Sequence, residues 1–382
     1  MRTEVDALVV GAGIVGAATA LALTRAGSRV AVLDRGIPNS AGSGTTAGNL
    51  HIQTIHARRP GQGIAVDVER LLPLQKATSG LWDALAGSVP DLGLVRCGGF
   101  MVAETADQVD RLRMKHEWER AAGIPTELLT GDEARRALPL LGPAIEGATW
   151  CPWDGFAEPD MAGPALLRQA EAEGAGVYSN TPVTALRRTG DSWEADTPAG
   201  IWHSPVVIDA AGPWMADIAA LAGVRLQLTP TALQMHSLAA APNTLDVLVQ
   251  HVGEGMSIKQ DRRDRLVLGG GWPAGPFHTS EPAPVLENST SGNLAQVARL
   301  LPKLSGAHLL EAWTGPVVTT PDEMPVIGEL DGAPGLFVAG GTYSFTFAPL
   351  WAELLTALVL GKEPELDVSA FSPSRLAQFP TQ

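Results

Sequence analysis

A glycine-rich turn near the start of the chain constrains the fold more than any other feature of the sequence. The run GAGIVG at residues 11–16 follows an apolar segment at 5–10, and an alanine- and leucine-rich helix is predicted from there to about Ala26. A second apolar segment at 29–33 ends at Asp34. In such a strand–turn–helix–strand unit, the glycines permit a tight turn and a close pyrophosphate, and the acid accepts hydrogen bonds from a ribose. The pattern predicts a dinucleotide site without separating NAD from FAD.

Composition excludes several classes of partner. The 382 residues carry a net charge of −14, which argues against nucleic acid or an anionic membrane surface as a partner. The uncharged stretch at 7–23 follows Glu4 and Asp6 and contains three glycines, so we expect neither a signal peptide nor an integral membrane segment. Two cysteines are too few for a disulfide framework, which favours a cytoplasmic location. The histidines lack metal-ligand spacing, so no metal site is predicted.

The rest of the chain favours FAD over NAD. No second GxGxxG turn follows an apolar segment, and residues 177–210 have the pattern of short strands joined by turns. A small β-meander inserted into a parallel α/β domain fits an FAD fold better than an NAD-dependent dehydrogenase. The NAD-dependent dehydrogenase remains an alternative.

Seven motifs in a fixed order resemble one family over nearly the whole chain. They are GAGIVG at 11–16 with Asp34-Arg35, AGSGTTAGN at 41–49, WDG at 153–155, NTPV at 180–183, IDAAGPW at 208–214, TPDEMPVIG at 320–328 and FVAGG at 337–341. Together they resemble the D-amino acid oxidase and sarcosine oxidase superfamily of FAD-dependent amine oxidoreductases. The runs GNLHIQ at 48–53 and LGGGWPA at 268–274 look most like the flavin subunits of opine dehydrogenases, D-hydroxyproline dehydrogenase and hydrogen cyanide synthase.

The resemblance implies an α/β fold with an α+β insert. A Rossmann-like FAD-binding domain of the glutathione-reductase type is expected at 1–85, 148–225 and 313–382, with a mixed-sheet substrate domain at 86–147 and 226–312. It also implies noncovalent FAD. The residues expected around the cofactor are Gly11, Gly13, Ile14, Val15, Gly16, Asp34, Arg35, Ser43, Gly44, Thr45, Thr46, Gly48, Asn49, Leu50, Val183, Ala211, Gly212, Trp214, Gly340, Gly341, Ser344, Phe345 and Thr346. A helix is expected to start near Thr346.

Two departures from the family pattern affect the substrate site. Many members have an arginine that holds the substrate carboxylate shortly before the Thr-Pro-Asp motif, and this chain has Val317 there. An apolar side chain cannot replace a bidentate carboxylate clamp. The closing loop YSFTF at 343–347 also replaces a histidine-containing segment, which makes that wall more apolar.

The candidate residues for catalysis and substrate binding are His51, Gln53, Lys259 and Tyr343. His51 and Gln53 alternate with Asn49, so all three share one face of a strand. Lys259 could replace the missing arginine, and the alternative is an ordinary lysine on an edge strand. Further candidates are Gln234 and His236, His56, and the pair Arg58-Arg59, whose alternative is a solvated surface pair.

The resemblance implies oxidation of a C–N bond in a secondary or N-substituted amino acid such as an opine, D-hydroxyproline, proline or sarcosine. Hydride would pass to the flavin, leaving an imine that water hydrolyses. Electrons would then pass to partner subunits carrying an iron–sulfur centre or a second flavin. The alternatives are a stand-alone oxidase of the D-amino acid or glycine type that uses oxygen, and a noncatalytic flavin-binding electron-transfer subunit.

Three local patterns complete the sequence predictions. Residues 94–102 have the pattern of one strand, and an amphipathic helix is predicted through Val109, Leu112 and Glu119. Thr130 and Glu133 have capping-box spacing. A further helix is predicted at 293–301.

Overall fold

The computed structural model describes residues 2–56 and 66–378, so Arg58 and Arg59 lie outside the described residues. Within that part, the helices are α1 Ile14–Arg25, α2 Gly42–Thr45, α3 Val68–Ser88, α4 Ala106–Ala122, α5 Gly131–Ala137, α6 Pro159–Ala172, α7 Met215–Leu221, α8 Glu287–Leu300 and α9 Ala348–Val359. The strands are β1 Arg2–Glu4, β2 Ala7–Val10, β3 Val30–Leu33, β4 Asn49–Leu50, β5 Leu94–Val95, β6 Gly99–Ala103, β7 Glu127–Thr130, β8 Gly147–Cys151, β9 Gly155–Ala157, β10 Gly176–Tyr178, β11 Ala185–Thr189, β12 Ser192–Thr197, β13 Gly200–Ser204, β14 Val206–Asp209, β15 Thr229–Ala239, β16 Leu248–His251, β17 Ser257–Gln260, β18 Arg265–Gly269, β19 Leu309–Thr319, β20 Val326–Glu329 and β21 Leu336–Gly340.

A parallel sheet forms the base of the molecule. Its strands run in the order β10-β3-β2-β14-β21-β20, all pairs parallel except the last. Strands β2 and β3 are buried along their full length, as their continuous apolar sequences require. Helix α1 packs closely on this sheet because Gly16 lacks a side chain: a Cβ there would lie 1.9 Å from the carbonyl oxygen of Gly11. The predicted strand–turn–helix–strand unit and the α/β class are confirmed.

The predicted β-meander is present as a small separate sheet. Strands β11, β12 and β13 are joined by tight turns and pair antiparallel, and β1 adds to them in parallel. Its first strand begins at Ala185, so Val183 lies in the segment before the strand.

The largest sheet is mixed and covers one side of the parallel sheet's carboxyl edge. Its strand order is β19-β15-β18-β17-β16-β6-β8-β7. Strand β17 carries Lys259 and lies between β18 and β16. The alternative that Lys259 is an edge-strand lysine is therefore wrong.

The segment at 94–102 is not one strand. Strand β5 pairs with β9, whereas β6 pairs with β8 and β16 in the large sheet. The chain changes sheets at Gly98, whose φ of 70° is in the left-handed region. A Cβ at Gly98 would lie 2.1 Å from the ring of Trp150, so glycine is required there.

The other predicted helix positions hold with small shifts. The capping box between Thr130 and Glu133 is present at the start of α5. Helix α8 begins six residues earlier than predicted, at Glu287, and α9 begins at Ala348, two residues after Thr346. In the described ranges, no helix has the length and apolar character that a membrane crossing requires. The same residues contain no cluster of acids, histidines and cysteines suited to a metal ion.

Candidate functional site

One cavity of about 990 Å³ runs from the carboxyl edge of the parallel sheet to the face of the large sheet. This volume is at the upper end of the range, about 300–1,000 Å³, that is usual for ligand sites. Most of the residues predicted around the cofactor line it. They are Gly11, Gly13, Ile14, Val15, Asp34, Arg35, Ser43, Thr46, Asn49, Val183, Ala211, Gly212, Trp214, Gly340, Gly341, Ser344, Phe345 and Thr346.

The glycine turn shapes one end of the cavity. Gly11 has a φ of 102°, and a Cβ there would lie 2.6 Å from the carbonyl oxygen of Ala210. Gly13 precedes α1, and a Cβ there would lie 2.9 Å from the hydroxyl oxygen of Ser43. That hydroxyl accepts a hydrogen bond from the backbone N–H of Ile14 at 2.9 Å. The turn thus brings bare backbone and the positive end of a helix to the cavity, as a pyrophosphate requires.

Asp34 and Arg35 line the cavity beside this turn. The Asp34 carboxylate accepts hydrogen bonds from the N–H groups of Ala12 and Gly36, both at 2.8 Å. The Arg35 guanidinium lies 3.6 Å from the centre of the Trp214 ring. Burial lowers the pKa of Arg35, and the nearby Asp34 opposes that shift. The buried indole Nε1 of Trp214 lines the cavity without a hydrogen-bond partner in the described protein.

Five residues predicted at the cofactor do not line the cavity but support its walls. They are Gly16, Gly44, Thr45, Gly48 and Leu50. A Cβ on Gly44 would lie 2.0 Å from the carbonyl oxygen of Asn39, and one on Gly48 would lie 2.1 Å from that of Ala157. Thr45 donates its hydroxyl to the carbonyl of Ala41, and Leu50 is fully buried in the core. These residues shape the cavity from behind its surface, and their contact with the cofactor stays a prediction.

His51 and Tyr343 lie together at the opposite end of the cavity. Their ring centres are 6.3 Å apart and the rings are nearly perpendicular. The backbone N–H of His51 donates to the hydroxyl of Thr346 at 3.2 Å, which fixes the segment. Burial lowers the pKa of His51 to about 4, although contact with Gln250 acts in the opposite direction. His51 is therefore a neutral imidazole, and its Nδ1 has no hydrogen-bond partner in the described protein.

Tyr343 is held by both its ring and its hydroxyl. The ring stacks on Phe347 at 5.2 Å, and the hydroxyl oxygen accepts from the N–H of Ile55 at 3.1 Å and lies 3.3 Å from the hydroxyl of Thr54. Its φ of 63° is uncommon for a residue with a side chain. Such strain costs about 1–3 kcal/mol and often marks functional positions. Burial raises the pKa of the phenol, so Tyr343 stays neutral.

The structure corrects the expectation for Lys259. Its ammonium group is buried 3.6 Å from the carboxylate of Glu158 and 3.5 Å from the centre of the Phe156 ring. Burial lowers its pKa to about 8, and Glu158 opposes that shift. Lys259 shares one face of β17 with Ser257, which lines the cavity, but Lys259 lies further along the strand and is not part of the cavity wall.

Gln53, Gln234 and His236 are also absent from the cavity wall, although all three are fully buried. Gln53 lies behind His51 and bonds to Asp154. Gln234 and His236 bond to each other and to Thr290 of α8, on the opposite face of the large sheet. We therefore correct all three from substrate contacts to buried polar groups. His56, by contrast, does line the cavity.

Sequence reasoning missed several polar residues that line the cavity, among them Arg111, Gln250 and Glu323. Arg111 lies on α4, and its guanidinium donates to the carbonyl of Val252 at 2.8 Å. Gln250 is aligned with Met101 of the neighbouring strand, and both line the cavity. Arg111 has the same helix face as Lys115 and Glu119, because the three are spaced by four residues. That four-residue spacing of charged residues is the sequence feature from which a shared position for Arg111, Lys115 and Glu119 could have been predicted.

The residues present fit FAD. The long cavity begins at a glycine turn on a helix N-terminus and has an acid placed for a ribose. Two buried donors, the Trp214 indole and the Thr342 hydroxyl, line it without a protein partner in the described residues. Such groups are normally satisfied, so they indicate a polar ligand.

Comparison with known proteins agrees with this site. The family model described as FAD dependent oxidoreductase matches residues 6–358. Glycine oxidase of Geobacillus kaustophilus is 30% identical, with 98% of each chain covered. Its crystal structure superimposes with a TM-score of 0.88, covering 98% of this chain and 99% of that one.

Two further relatives are similar over nearly the whole of this chain. The 4-methylaminobutanoate oxidase (formaldehyde-forming) of Paenarthrobacter nicotinovorans is 29% identical, over 99% of this chain and 46% of that protein. A hydrogen cyanide synthase subunit of Pseudomonas aeruginosa is 25% identical, over 100% of this chain and 98% of that protein. The family match, the oxidoreductase relatives and the geometry of the cavity agree: this chain belongs to the D-amino acid oxidase family of FAD-dependent oxidoreductases, and it oxidises C–N bonds of amino acids.

Proposed function

We propose that the substrate is a secondary or N-substituted amino acid, such as an opine, D-hydroxyproline, proline or sarcosine. The observation that carries the proposal is the apolar wall around Val317, where many family members have a carboxylate-binding arginine. Leu233, Met235 and Val317 line this part of the cavity. An apolar wall accepts a carbon substituent on nitrogen and offers nothing to a carboxylate.

A different residue then holds the carboxylate. Arg111 also lines the cavity, and its helix α4 packs on β6, β7 and β8, whereas Val317 is on β19 at the other end of the strand order. Arg111 bonds to the carbonyl of Val252, two residues beyond Gln250. That places its guanidinium about 7 Å along the strand from the wall made by Gln250 and His51. Arginine suits the role because its planar fork binds a carboxylate bidentately.

His51 and Tyr343 orient the amine between them. The chemistry that FAD supplies when bound is acceptance of hydride from the carbon next to the nitrogen. The protein's own task is to hold that C–H bond in position and to keep the amine unprotonated. Two neutral groups suit this task, because the unpaired Nδ1 of His51 can accept an N–H from the substrate without adding charge.

The proposal includes two domains with the boundaries expected from sequence. The parallel sheet draws its strands from 1–85, 148–225 and 313–382, which we assign to FAD. The large sheet draws most of its strands from 86–147 and 226–312, which we assign to the substrate. Strands β8 and β19 cross these boundaries and join the two parts.

The proposed electron acceptor is a partner subunit carrying an iron–sulfur centre or a second flavin. The chain has two cysteines, too few to hold a cluster of its own. A relative that is a subunit of a larger enzyme supports this route, whereas the oxidases among the relatives support direct use of oxygen. We also propose a cytoplasmic location, supported by the two free thiols, Cys97 and Cys151.

Anaerobic visible spectroscopy tests the proposal. Opines, D-hydroxyproline, D-proline, sarcosine, 4-methylaminobutanoate and glycine are added in turn to the yellow protein, and loss of the flavin band is followed. We expect bleaching by at least one secondary amine and a weaker response to glycine. Bleaching by glycine alone would contradict the assigned substrate class. A flavin that no amine reduces would favour the noncatalytic electron-transfer subunit, and steady oxygen consumption by the isolated chain would select the oxidase.

A further inference from the structure

A network of fully buried polar side chains lies directly behind the substrate end of the cavity. Gln53 is at its centre and donates its amide to the carboxylate of Asp154 at 2.7 Å and to the carbonyl of Gly99 at 3.0 Å. Its amide oxygen accepts from the ammonium of Lys115 at 2.8 Å and from the hydroxyl of Thr149 at 2.9 Å. Nothing in the catalytic scheme above uses this network.

One arm of the network reaches Tyr343. Lys115 pairs with Glu119 one helical turn away at 2.7 Å, and both side chains are fully buried. The Glu119 carboxylate accepts the backbone N–H of Thr54 at 2.7 Å. The hydroxyl of Thr54 lies 3.3 Å from that of Tyr343, which lines the cavity.

The other arm reaches His51 through Asp154. One carboxylate oxygen of Asp154 accepts the backbone N–H groups of Ile52 and Gln53, both at 2.9 Å, and so holds the segment that follows His51. The second oxygen accepts the side-chain amide of Gln250 at 3.4 Å. Asp154 thus joins the segment after β4, which carries His51, to strand β16 of the large sheet, which carries Gln250.

The space for this carboxylate is built into the fold. A Cβ at Gly99 would lie 2.7 Å from the outer oxygen of Asp154, so only glycine leaves room on the facing strand. Gly99 is also the residue whose carbonyl accepts from Gln53. The network is therefore tightly packed.

The network contains one more acid than base. Its charged groups are Asp154, Glu119 and Lys115, all fully buried. Two thiols near Asp154 are neutral, since burial raises the pKa of Cys97 to about 11 and raises that of Cys151 further. The imidazole of His51 is neutral, and beyond Cys97 the buried Lys259 is paired with Glu158. The network thus has a net charge of −1, or it holds one extra proton.

The extra proton is bound near neutral pH. Burial raises the pKa of Asp154 to about 7, while hydrogen bonds from Gln53 and the charge of Lys115 lower it and the charge of Glu119 raises it. The network therefore changes from neutral to negative as the pH rises through about 7.

We propose that Asp154 is a positioning residue for amine oxidation, whose carboxylate fixes the walls carrying His51 and Gln250 and favours the positive charge that develops on the substrate nitrogen. This inference rests on the proposed function. Loss of hydride converts a neutral amine into a cationic imine, so a fixed negative charge behind the wall stabilises that change. The ionised form of Asp154 is the active one.

The test compares D154N with the control E158Q. Glu158 is a buried carboxylate four residues further on, which pairs with Lys259 outside the network. The limiting rate of anaerobic flavin bleaching at saturating amine is measured from pH 5.5 to 9. We expect the wild-type rate to rise with pH through an apparent pKa near 7. D154N should lose this rise and fall on the order of 10- to 100-fold, while E158Q keeps the rise.

A second variant, E119Q, keeps the test decisive if D154N fails to fold. Removing the charge that raises the pKa of Asp154 should shift the rise in rate to lower pH, an effect that lost structure alone would not produce. An unshifted profile in E119Q, or a D154N variant that keeps the rise, would overturn the inference.

An infrared titration separates this inference from the proposed function, because it needs no substrate. Asp209 is a second fully buried carboxyl, and burial raises its pKa well above the usual range, so the band of Asp154 is read from the difference between wild type and D154N. That difference should contain a protonated-carboxyl band that disappears near pH 7, and in E119Q the corresponding band should titrate at lower pH. If the band titrates in this way but no amine bleaches the flavin, the proposed function has failed, while the assignment of a titrating carboxyl to Asp154 is retained. If the band is missing at pH 6, the inference has failed whatever the substrate.

Discussion

The two ends of the cavity are built in opposite ways. The nucleotide end uses backbone from a short stretch of chain: Gly11 and Gly13 leave room for a ligand, and Asp34 is tied down by two backbone N–H groups. The substrate end uses side chains from four distant segments, among them His51, Arg111 and Gln250. Local geometry thus sets cofactor binding, whereas tertiary packing sets substrate choice.

The two ends also differ in how they treat charge. At the nucleotide end, the charged group Arg35 lies at the cavity surface and stacks on Trp214, where solvent or a single ionic partner is enough to stabilise its charge. At the substrate end, the lining groups His51 and Tyr343 are neutral, and the charges lie one layer deeper in the network of Asp154, Lys115 and Glu119. A low-dielectric layer between charge and substrate preserves the electrostatic effect that solvent would screen.

The largest expected effect is loss of the cofactor on replacing Gly11 by alanine. The new Cβ would meet the carbonyl oxygen of Ala210, and the φ of 102° disfavours any side chain. We expect FAD affinity to fall on the order of 100-fold or more, for two reasons. The side chain strains the backbone of the turn, and it pushes away Ala210, which follows β14. Flavin absorbance per protein and FAD reconstitution measure the fall in affinity.

The control for this change is Gly27→Ala. Gly27 has a similar φ of 92°, and nothing lies within 4 Å of a Cβ built there. The variant carries the strain without the contact, so it should keep its flavin and lose only a few degrees in Tm. Equal flavin loss in both variants would show that strain alone, and not the approach to Ala210, governs this end.

An intermediate effect is expected at Arg111. Arg111→Met keeps the length of the stem and removes the guanidinium, so KM for carboxylate substrates should rise about 10- to 100-fold with a smaller change in kcat. Arg113→Met is the matched control, because Arg113 is half-exposed on the same helix and pairs with Asp110 at 2.6 Å. An unchanged KM in the Arg111 variant would show that another residue holds the carboxylate and would contradict the role proposed for Arg111.

The nucleotide end could be predicted from sequence because its chemistry depends on neighbours in the chain. The glycine turn, the helix after it and Asp34 all have the predicted places. The main error of local reading was the segment at 94–102, where the sequence pattern is continuous but Gly98 directs the chain into a second sheet. Local patterns identify strands and do not say which sheet receives them.

The substrate end could be predicted only in part. His51 and Tyr343 lie in sequence motifs and line the cavity, whereas Lys259 does not line it. Lys259 shares a strand face with Ser257, which does line the cavity, and alternation along a strand does not say how far along that face the cavity extends. Arg111 was missed because a single arginine on an amphipathic helix is ordinarily a surface group. Its role follows from the packing of α4 beside the large sheet, which depends on contacts far apart in sequence.

The smallest expected effect is at the Tyr343 hydroxyl, and it tests whether the substrate end depends on rings or on hydrogen bonds. Tyr343→Phe keeps the stack on Phe347 and removes the acceptor for the N–H of Ile55, so the bleaching rate should fall about 3- to 10-fold with FAD binding unchanged. Tyr178→Phe is the natural control, since Tyr178 is the chain's other tyrosine and its ring packs on Trp202 without lining the cavity. Because the phenol stays neutral, the rate should fall by the same factor at every pH. A fall that varies with pH would instead place the Tyr343 hydroxyl in the titrating network of Asp154, and the neutral lining and the charged layer behind it would then act as one unit.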